Sequence, residues 1–215
     1  AVTEVFHEGF KGITFDQIKE SGSISVPIRY RKYEQRGFST GSGKVELASG
    51  YLEALGYDPL PYYQEPPESP LSQPDLAREF PLILTTGGRI KQYFNSEFRQ
   101  IPSLRRRHPD PLVEIHPETA KKHGIEEGDW VWIESPRGRV KQRARFHEGL
   151  DPRVVAAEHG WWYPEIKSPD HGWDISNINI LTDNSPESTD PVMGATSLRV
   201  LLCNISRCED GQEVQ

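Results

Sequence analysis

The sequence predicts a mainly β fold with short helices, a compact barrel or sandwich preceded by an irregular, proline-rich extension. Three observations carry this expectation. Short β-like runs recur between turn signals at 82–86, 112–115, 130–134, 140–146, 154–157 and 198–202, whereas a doubly wound sheet would separate most of its strands by helices. One clear helix interrupts them. Residues 1–78, by contrast, are turn-rich and weakly periodic, and their prolines cluster toward the end.

Taken in order, residues 44–55 read as a short strand leading into a helix, with Gly56 as its stop. Asp58-Pro59-Leu60-Pro61 and Glu65-Pro66-Pro67-Glu68-Ser69-Pro70 then fix φ and remove backbone donors, which predicts an extended connector lying over a surface. The expected division is 1–78 as extension and linker and 79–215 as the barrel domain. Within the barrel, Pro117 opens the helix, Glu118-Thr119-Ala120-Lys121-Lys122-His123 forms its body, and Gly124 follows as the C′ residue. Glu127-Gly128-Asp129 is a turn into Trp130-Val131-Trp132-Ile133, and Ser135-Pro136-Arg137-Gly138-Arg139 is a hairpin loop.

Composition narrows the partners. The 215 residues can bury a substantial core, and the formal charge of −7 argues against a general affinity for nucleic acid or anionic membrane. A local basic stretch of Arg99, Arg105, Arg106, Arg107 and His108 still allows anion binding. No apolar run approaches the roughly 20 residues that span a bilayer. Neither a basic n-region nor an apolar h-region opens the chain at Ala1, so no targeting segment is read there. Cys203 and Cys208 are too few for a zinc or iron–sulfur site, and the histidines lack the spacing of a helical zinc pair.

Three segments carry candidate chemistry. Thr85-Thr86-Gly87-Gly88-Arg89 follows an apolar strand, so small residues at its tip expose backbone N–H groups while Arg89 can meet a phosphate or carboxylate through two hydrogen bonds. Gln92, Asn95 and Ser96 add neutral polar groups just downstream. His159-Gly160-Trp161-Trp162 supplies flat aromatic surfaces and an imidazole. Asn177, Asn179, Thr182 and Asp183 offer donors and acceptors suited to the edge of a guanine or pterin ring. Each segment also has a plain structural reading: a surface arginine after a turn, a core aromatic pair, and a polar loop with an Asx turn. Gly37 to Val45 imitates a phosphate loop, but its spacing is off by one and Val45 stands where a magnesium-binding hydroxyl is required.

The order of these segments resembles the C-terminal dinucleotide-binding domain of the molybdopterin oxidoreductases, the dimethyl sulfoxide reductase and formate dehydrogenase family. The resemblance extends through residues 111–120, 124–129 and 135–138, Asp190-Pro191-Val192-Met193-Gly194, and Phe38 to Leu47 in the first part. It implies a six-stranded double-psi β-barrel of the aspartate-decarboxylase-like type that binds molybdopterin guanine dinucleotide, with molybdenum or tungsten carried by the cofactor. By position, the resemblance puts Thr86, Gly87 and Arg89 along the pterin and diphosphate, with Asn95 and Ser96 nearby. His159 and Trp161 face the pterin region, and Asn177, Asn179 and Asp183 meet the ring edges. Gly88 extends a stretch that reads Thr-Gly-Arg in many members. Neither a catalytic residue nor a protein ligand of the metal is assigned, because the family's cysteine-rich segment and metal ligand have no counterpart in this sequence. The implied reading is the C-terminal portion of a catalytic subunit whose iron–sulfur cluster, if any, lies outside the chain. Its implied partners are the remaining domains of that subunit and, as a further candidate, an iron–sulfur electron-transfer subunit. The alternative is a non-enzymatic double-psi barrel that serves as a protein-interaction module.

Overall fold

The structure, a computed structural model, describes residues 13–23, 29–190 and 193–209. It divides into two compact units, Ala1–Tyr62 and Tyr63–Gln215. Pro191 and Val192, quoted above for the resemblance, lie outside the described residues.

The first unit carries short helices at Phe15–Ser21, Tyr33–Arg36 and Gly50–Ala54, none with a buried residue. The expected strand over 44–49 does not form. Local side chains take up backbone groups of Lys44 that a strand would pair: Thr40 Oγ1 donates to its carbonyl at 2.6 Å, and Ser42 Oγ accepts its N–H at 3.3 Å. The helix after it does form, capped by Ser49 Oγ, which accepts from Leu52 N at 3.3 Å.

The second unit is a closed barrel of six strands: β1 (Leu82–Thr86), β2 (Leu112–Ile115), β3 (Trp130–Ser135), β4 (Gly138–Phe146), β5 (Val154–Ala157) and β6 (Arg199–Arg207). Their order around the barrel is β1-β5-β2-β4-β3-β6. β1 pairs with β5 and β2 with β4 in parallel, and the other four pairings are antiparallel. Each parallel pair joins strands that are not consecutive in sequence, as the interlocked double-psi topology requires. β6 runs five residues beyond the expected end at 202 because Asn204 to Arg207 pair with β3, which draws the 203–206 segment into the sheet. The helix Pro117–Lys122 lies where expected, with Gly124 at φ +63 just beyond it.

Inward residues of every strand fill the barrel. Leu84, Val113, Ile115, Val131, Ile133, Val140, Val155, Leu201, Cys203 and Ile205 are buried there, each aliphatic one contributing about 1.5–3 kcal/mol. Ile178 and Leu181, from a 3₁₀ turn at Ile178–Leu181, join the same core. Both cysteines are free; burial pushes the Cys203 thiol up strongly and the Cys208 thiol to about 11, so neither is a reactive thiolate at neutral pH.

The proline-rich connector is more than a surface strand. Glu68 forms a two-bond ion pair with Arg137 (Nη1 to Oε2, 2.7 Å; Nη2 to Oε1, 3.0 Å), and its Oε1 also accepts Leu202 N–H at 2.7 Å. Arg137 Nε donates to the Leu181 carbonyl at 2.7 Å. One carboxylate thus joins the connector, the β3–β4 hairpin, β6 and the 3₁₀ turn. Glu68→Gln is expected to lower stability by about 2 kcal/mol, read from the urea midpoint, since it weakens several charge-assisted bonds together. Glu68→Gln combined with Arg137→Met should cost clearly less than the sum of the single changes.

Candidate functional site

The parallel pairing of β1 with β5 places the first two candidate segments side by side. Thr86 is opposite Ala157, and Gly87 N–H donates to the Ala157 carbonyl at 2.8 Å. Both strands end on the same side, so Gly87-Gly88-Arg89 leaves the barrel beside Glu158-His159-Gly160. Arg89 follows this edge exposed.

Residues 90–101 form a run of tight turns, with Asn95 at φ +52 and Phe98 at φ +74. The turns fold back onto the second segment. Gly160 takes φ +68, and a Cβ built there would lie 3.4 Å from Ser96 N, so a larger residue would push the two segments apart. Trp162 Nε1 donates to the Ser96 carbonyl at 2.5 Å, and His159 Nε2 faces Asn95 Oδ1 at 3.5 Å.

Beside this edge is a cleft of about 630 Å³ lined by Gly87 to Gln92, Arg107 to Asp110, Leu112, Glu114, Arg145, Ala156 and Glu158. Of its cations, Arg145 is paired with Glu114. Arg89, Lys91 and Arg107 have no ion-pair partner among the described residues, so the cleft carries an unneutralised cationic wall. The basic stretch read from sequence is therefore not a single patch. Arg99 is fully buried, Arg105 lies over the Trp161 ring and pairs with Glu165, and His108 Nε2 donates to Glu158 Oε2 at 2.9 Å. Arg107 is the member that faces the cleft as a free cation.

Trp161 is wholly buried, packed edge-on against Tyr93 and Tyr163 at centroid distances of 5.9 and 6.4 Å, and it can reach a ligand only through what it supports. The third segment lies off the cleft. Asn177 Oδ1 accepts Asn179 N–H at 3.1 Å, capping the 3₁₀ turn, and Asp183 accepts from Ser185 N and Ser188 Oγ at 2.9 and 2.6 Å. Those bonds, Ser188 first, hold the Asp183 carboxyl below its ordinary range.

Buried groups that sequence reasoning missed connect the segments. Gln142, fully buried on β4, donates through Nε2 to the Glu158 carbonyl (2.8 Å) and the Ser176 carbonyl (3.0 Å), and its Oε1 accepts Glu158 N–H at 3.1 Å. It ties the residue before His159 to the residue before Asn177. Ser176 Oγ donates to the Lys141 carbonyl at 2.6 Å and so accepts from Tyr163 Oη at 2.7 Å, where burial pushes the phenol up to about 12. One signal was available. Gln142 occupies an inward register between Val140 and Ala144, where the period-2 pattern calls for an apolar residue.

A family described as "Molydopterin dinucleotide binding domain" matches residues 82–202. The chain belongs to this molybdopterin dinucleotide-binding family. It is 44% identical over 167 residues to dopamine dehydroxylase of Eggerthella lenta (76% of this chain, 16% of that protein). It is 40% identical over 168 residues to acetylene hydratase of Syntrophotalea acetylenica (76% of this chain, 23% of that protein). Dimethyl sulfoxide reductase DmsA of Escherichia coli is 34% identical over 194 residues, again with 23% of that protein covered. Among solved structures, acetylene hydratase from Pelobacter acetylenicus superposes with a TM-score of 0.78 at 34% identity, covering 92% of this chain and 28% of that one. The chain thus spans about a sixth to a quarter of the length of the curated relatives named here.

The donor set fits molybdopterin guanine dinucleotide, a large anionic ligand. The glycine edge allows close approach, since a Cβ at Gly88 would meet nothing within 4 Å, and three free cations stand along one wall. Among the described residues no group of three or more His, Cys, Asp or Glu could hold a metal ion directly, and no helix is long and apolar enough to cross a membrane.

Burial, then Arg99 and Arg89, lower the His159 pKa from its ordinary 6.5, and Glu158 opposes them. The folded chain consequently binds fewer protons at His159 than the unfolded chain does. Stability present above 6.5 is lost as pH falls toward the lower folded value. Urea midpoints measured from about pH 7.5 to about pH 5 should fall less in His159→Gln than in the parent.

Proposed function

We propose that this chain forms one wall of the active centre of a molybdenum or tungsten enzyme. In this reading it holds the dinucleotide and orients the pterin, while the rest of the catalytic subunit supplies the other walls. The observation that carries the reading is the β1–β5 parallel pair, which sets an open glycine edge and a free arginine beside an imidazole at one end of a closed barrel. Residues 79–215 are the dinucleotide-binding domain under this reading, and 1–78 belong to the segment that joins it to the remainder of the subunit.

The roles follow from chemistry and position. Backbone N–H groups at Gly87 and Gly88 and the Arg89 guanidinium bind the diphosphate, because a planar fork matches phosphate oxygens and no side chain intrudes at the glycines. Lys91 and Arg107 add long-range attraction. Thr86, Asn95 and Ser96 supply neutral hydrogen bonds next to that anion. His159, kept neutral, can donate from one ring nitrogen to a pterin heteroatom without adding charge. Trp161 supports this edge from beneath. Asn177, Asn179 and Asp183 offer amide and carboxylate edges to the ring system, with Asp183 held ionised by its two donors. When bound, the cofactor's metal supplies the redox or oxygen-atom-transfer chemistry, while this chain contributes binding, orientation and charge. Partners are the other domains of the catalytic subunit and an iron–sulfur electron-transfer subunit.

Calorimetric titration with molybdopterin guanine dinucleotide, on the chain and on the assembled catalytic subunit, tests the proposal. Arg89→Ala should weaken binding about tenfold, an effect that shrinks at high salt. Absence of binding in both preparations would sink it.

A further inference from the structure

Arg99 is the largest fully buried side chain after Trp161, and it is a cation. Its guanidinium carbon lies 4.8 Å from the Tyr93 ring centroid and 4.7 Å from that of Trp161. Nη1 donates to the Asn95 carbonyl at 2.8 Å, Nη2 to the His159 carbonyl at 3.4 Å, and Nε has no partner. Neither acceptor is a carboxylate. Burial lowers the guanidinium pKa to about 10, which leaves it charged at neutral pH.

Packing alone does not call for such a residue. A methionine has similar length, fits between the same rings, and carries no desolvation cost, whereas burying a cation that hydrogen-bonds no carboxylate costs several kcal/mol in general, although Glu158 and Glu97 favour the Arg99 charge without a hydrogen bond to it. The guanidinium offers what methionine lacks, a rigid fork whose arms end on two carbonyls that sequence separates by dozens of residues. Those carbonyls belong to the two residues whose side chains face each other across the segments, His159 Nε2 and Asn95 Oδ1 at 3.5 Å. Asn95 is also in the left-handed region at φ +52, a conformation that costs a non-glycine residue free energy and persists where neighbours fix it.

We propose that Arg99 is a positioning residue of the cofactor site: from beneath, it ties the main chain at Asn95 to the main chain at His159 and holds their side chains in register beside the cleft. The inference rests on reading that cleft as the dinucleotide site. It adds a buried arginine that does not itself line the cleft to the groups on which the site's shape depends. The charge acts in the same place. Arg99 from below, Arg89 from the segment after β1 and Glu158 from the end of β5 are the charged groups around the His159 imidazole; the two cations disfavour imidazolium and the carboxylate favours it.

Three variants of the full chain separate positioning from packing. Arg99→Met removes charge and fork but keeps apolar bulk, Arg99→Lys keeps the charge and loses the fork, and Leu104→Ala loosens the same aromatic cluster without touching either carbonyl. Amide hydrogen exchange and the NMR titration of the His159 imidazole, assigned with His159→Gln, are read without cofactor. In Arg99→Met, exchange at residues 95–97 and 159–161 should quicken about tenfold or more while β2 and β4 hold, and the His159 midpoint should rise. Arg99→Lys should show the same local exchange with the midpoint near the parent's. Leu104→Ala should leave the midpoint in place. If Arg99→Met matches Leu104→Ala in both readouts, the proposal is overturned; if Arg99→Met does not fold, unchanged exchange at the two segments in Arg99→Lys overturns it.

A calorimetric titration of Arg99→Met with molybdopterin guanine dinucleotide should then show about tenfold weaker binding than the parent. Parent-like affinity removes Arg99 from the cofactor site. Failure of the parent to bind overturns the site reading instead, and leaves the exchange and titration results to decide the clamp.

Discussion

Closure of the barrel through two parallel strand pairs is the constraint on which the remaining structure depends. Antiparallel hairpins alone would place strand ends alternately at the two ends of the barrel. Parallel pairing of β1 with β5 brings two carboxyl ends together, and the chain must leave both strands on one side. The glycine edge after Thr86 and the histidine after Glu158 become neighbours for that reason, although more than seventy residues separate them. No helix or dedicated loop is needed to gather them.

Once those ends are gathered, the interior must supply their polar contacts. Gln142 meets the demand from inside the barrel, where its amide makes three bonds, two of them to the Glu158 backbone at the β5 exit. Glu158 turns toward Leu112 N–H and His108, so its carboxylate organises the cleft wall rather than cancelling Arg89. The unpartnered buried side-chain atoms among the described residues are Arg99 Nε, Arg105 Nη1, His159 Nδ1 and Trp161 Nε1, and all belong to this one neighbourhood. Among the described residues no other buried side-chain nitrogen or oxygen lacks a partner.

How much of this could be read from the sequence differs by level. The strands were legible because alternation of Val, Ile and Leu with polar residues has period two, and even the short runs at 112–115 and 154–157 are flanked by turns. The end of β6 was not, because Asn204 and Ser206 gain their strand character from pairing with β3, which local pattern does not encode. Residues 44–49 have strand-forming residues but begin beside hydroxyl groups of Thr40 and Ser42 that capture the Lys44 backbone. At the site, glycine, arginine and histidine are legible as residue types with chemistry. Arg99 was visible only as one more member of a basic stretch, since nothing local distinguishes an arginine bound for a surface from one bound between two rings.

The same difference explains why the cleft is cationic in a chain of charge −7. Net charge governs the far field, while a ligand meets the groups within about a Debye length, ~10 Å at ordinary salt. Near the glycine edge the acids are already engaged: Glu114 by Arg145, Asp110 by Arg143, and Glu158 by His108 and a backbone N–H. What remains unengaged is Arg89, Lys91 and Arg107. Fixing each carboxylate on a partner inside the barrel wall turns an acidic protein's surface locally positive without adding a single basic residue. That arrangement leaves positive charge where the two parallel strands end, and it lasts only while the wall behind it keeps its geometry.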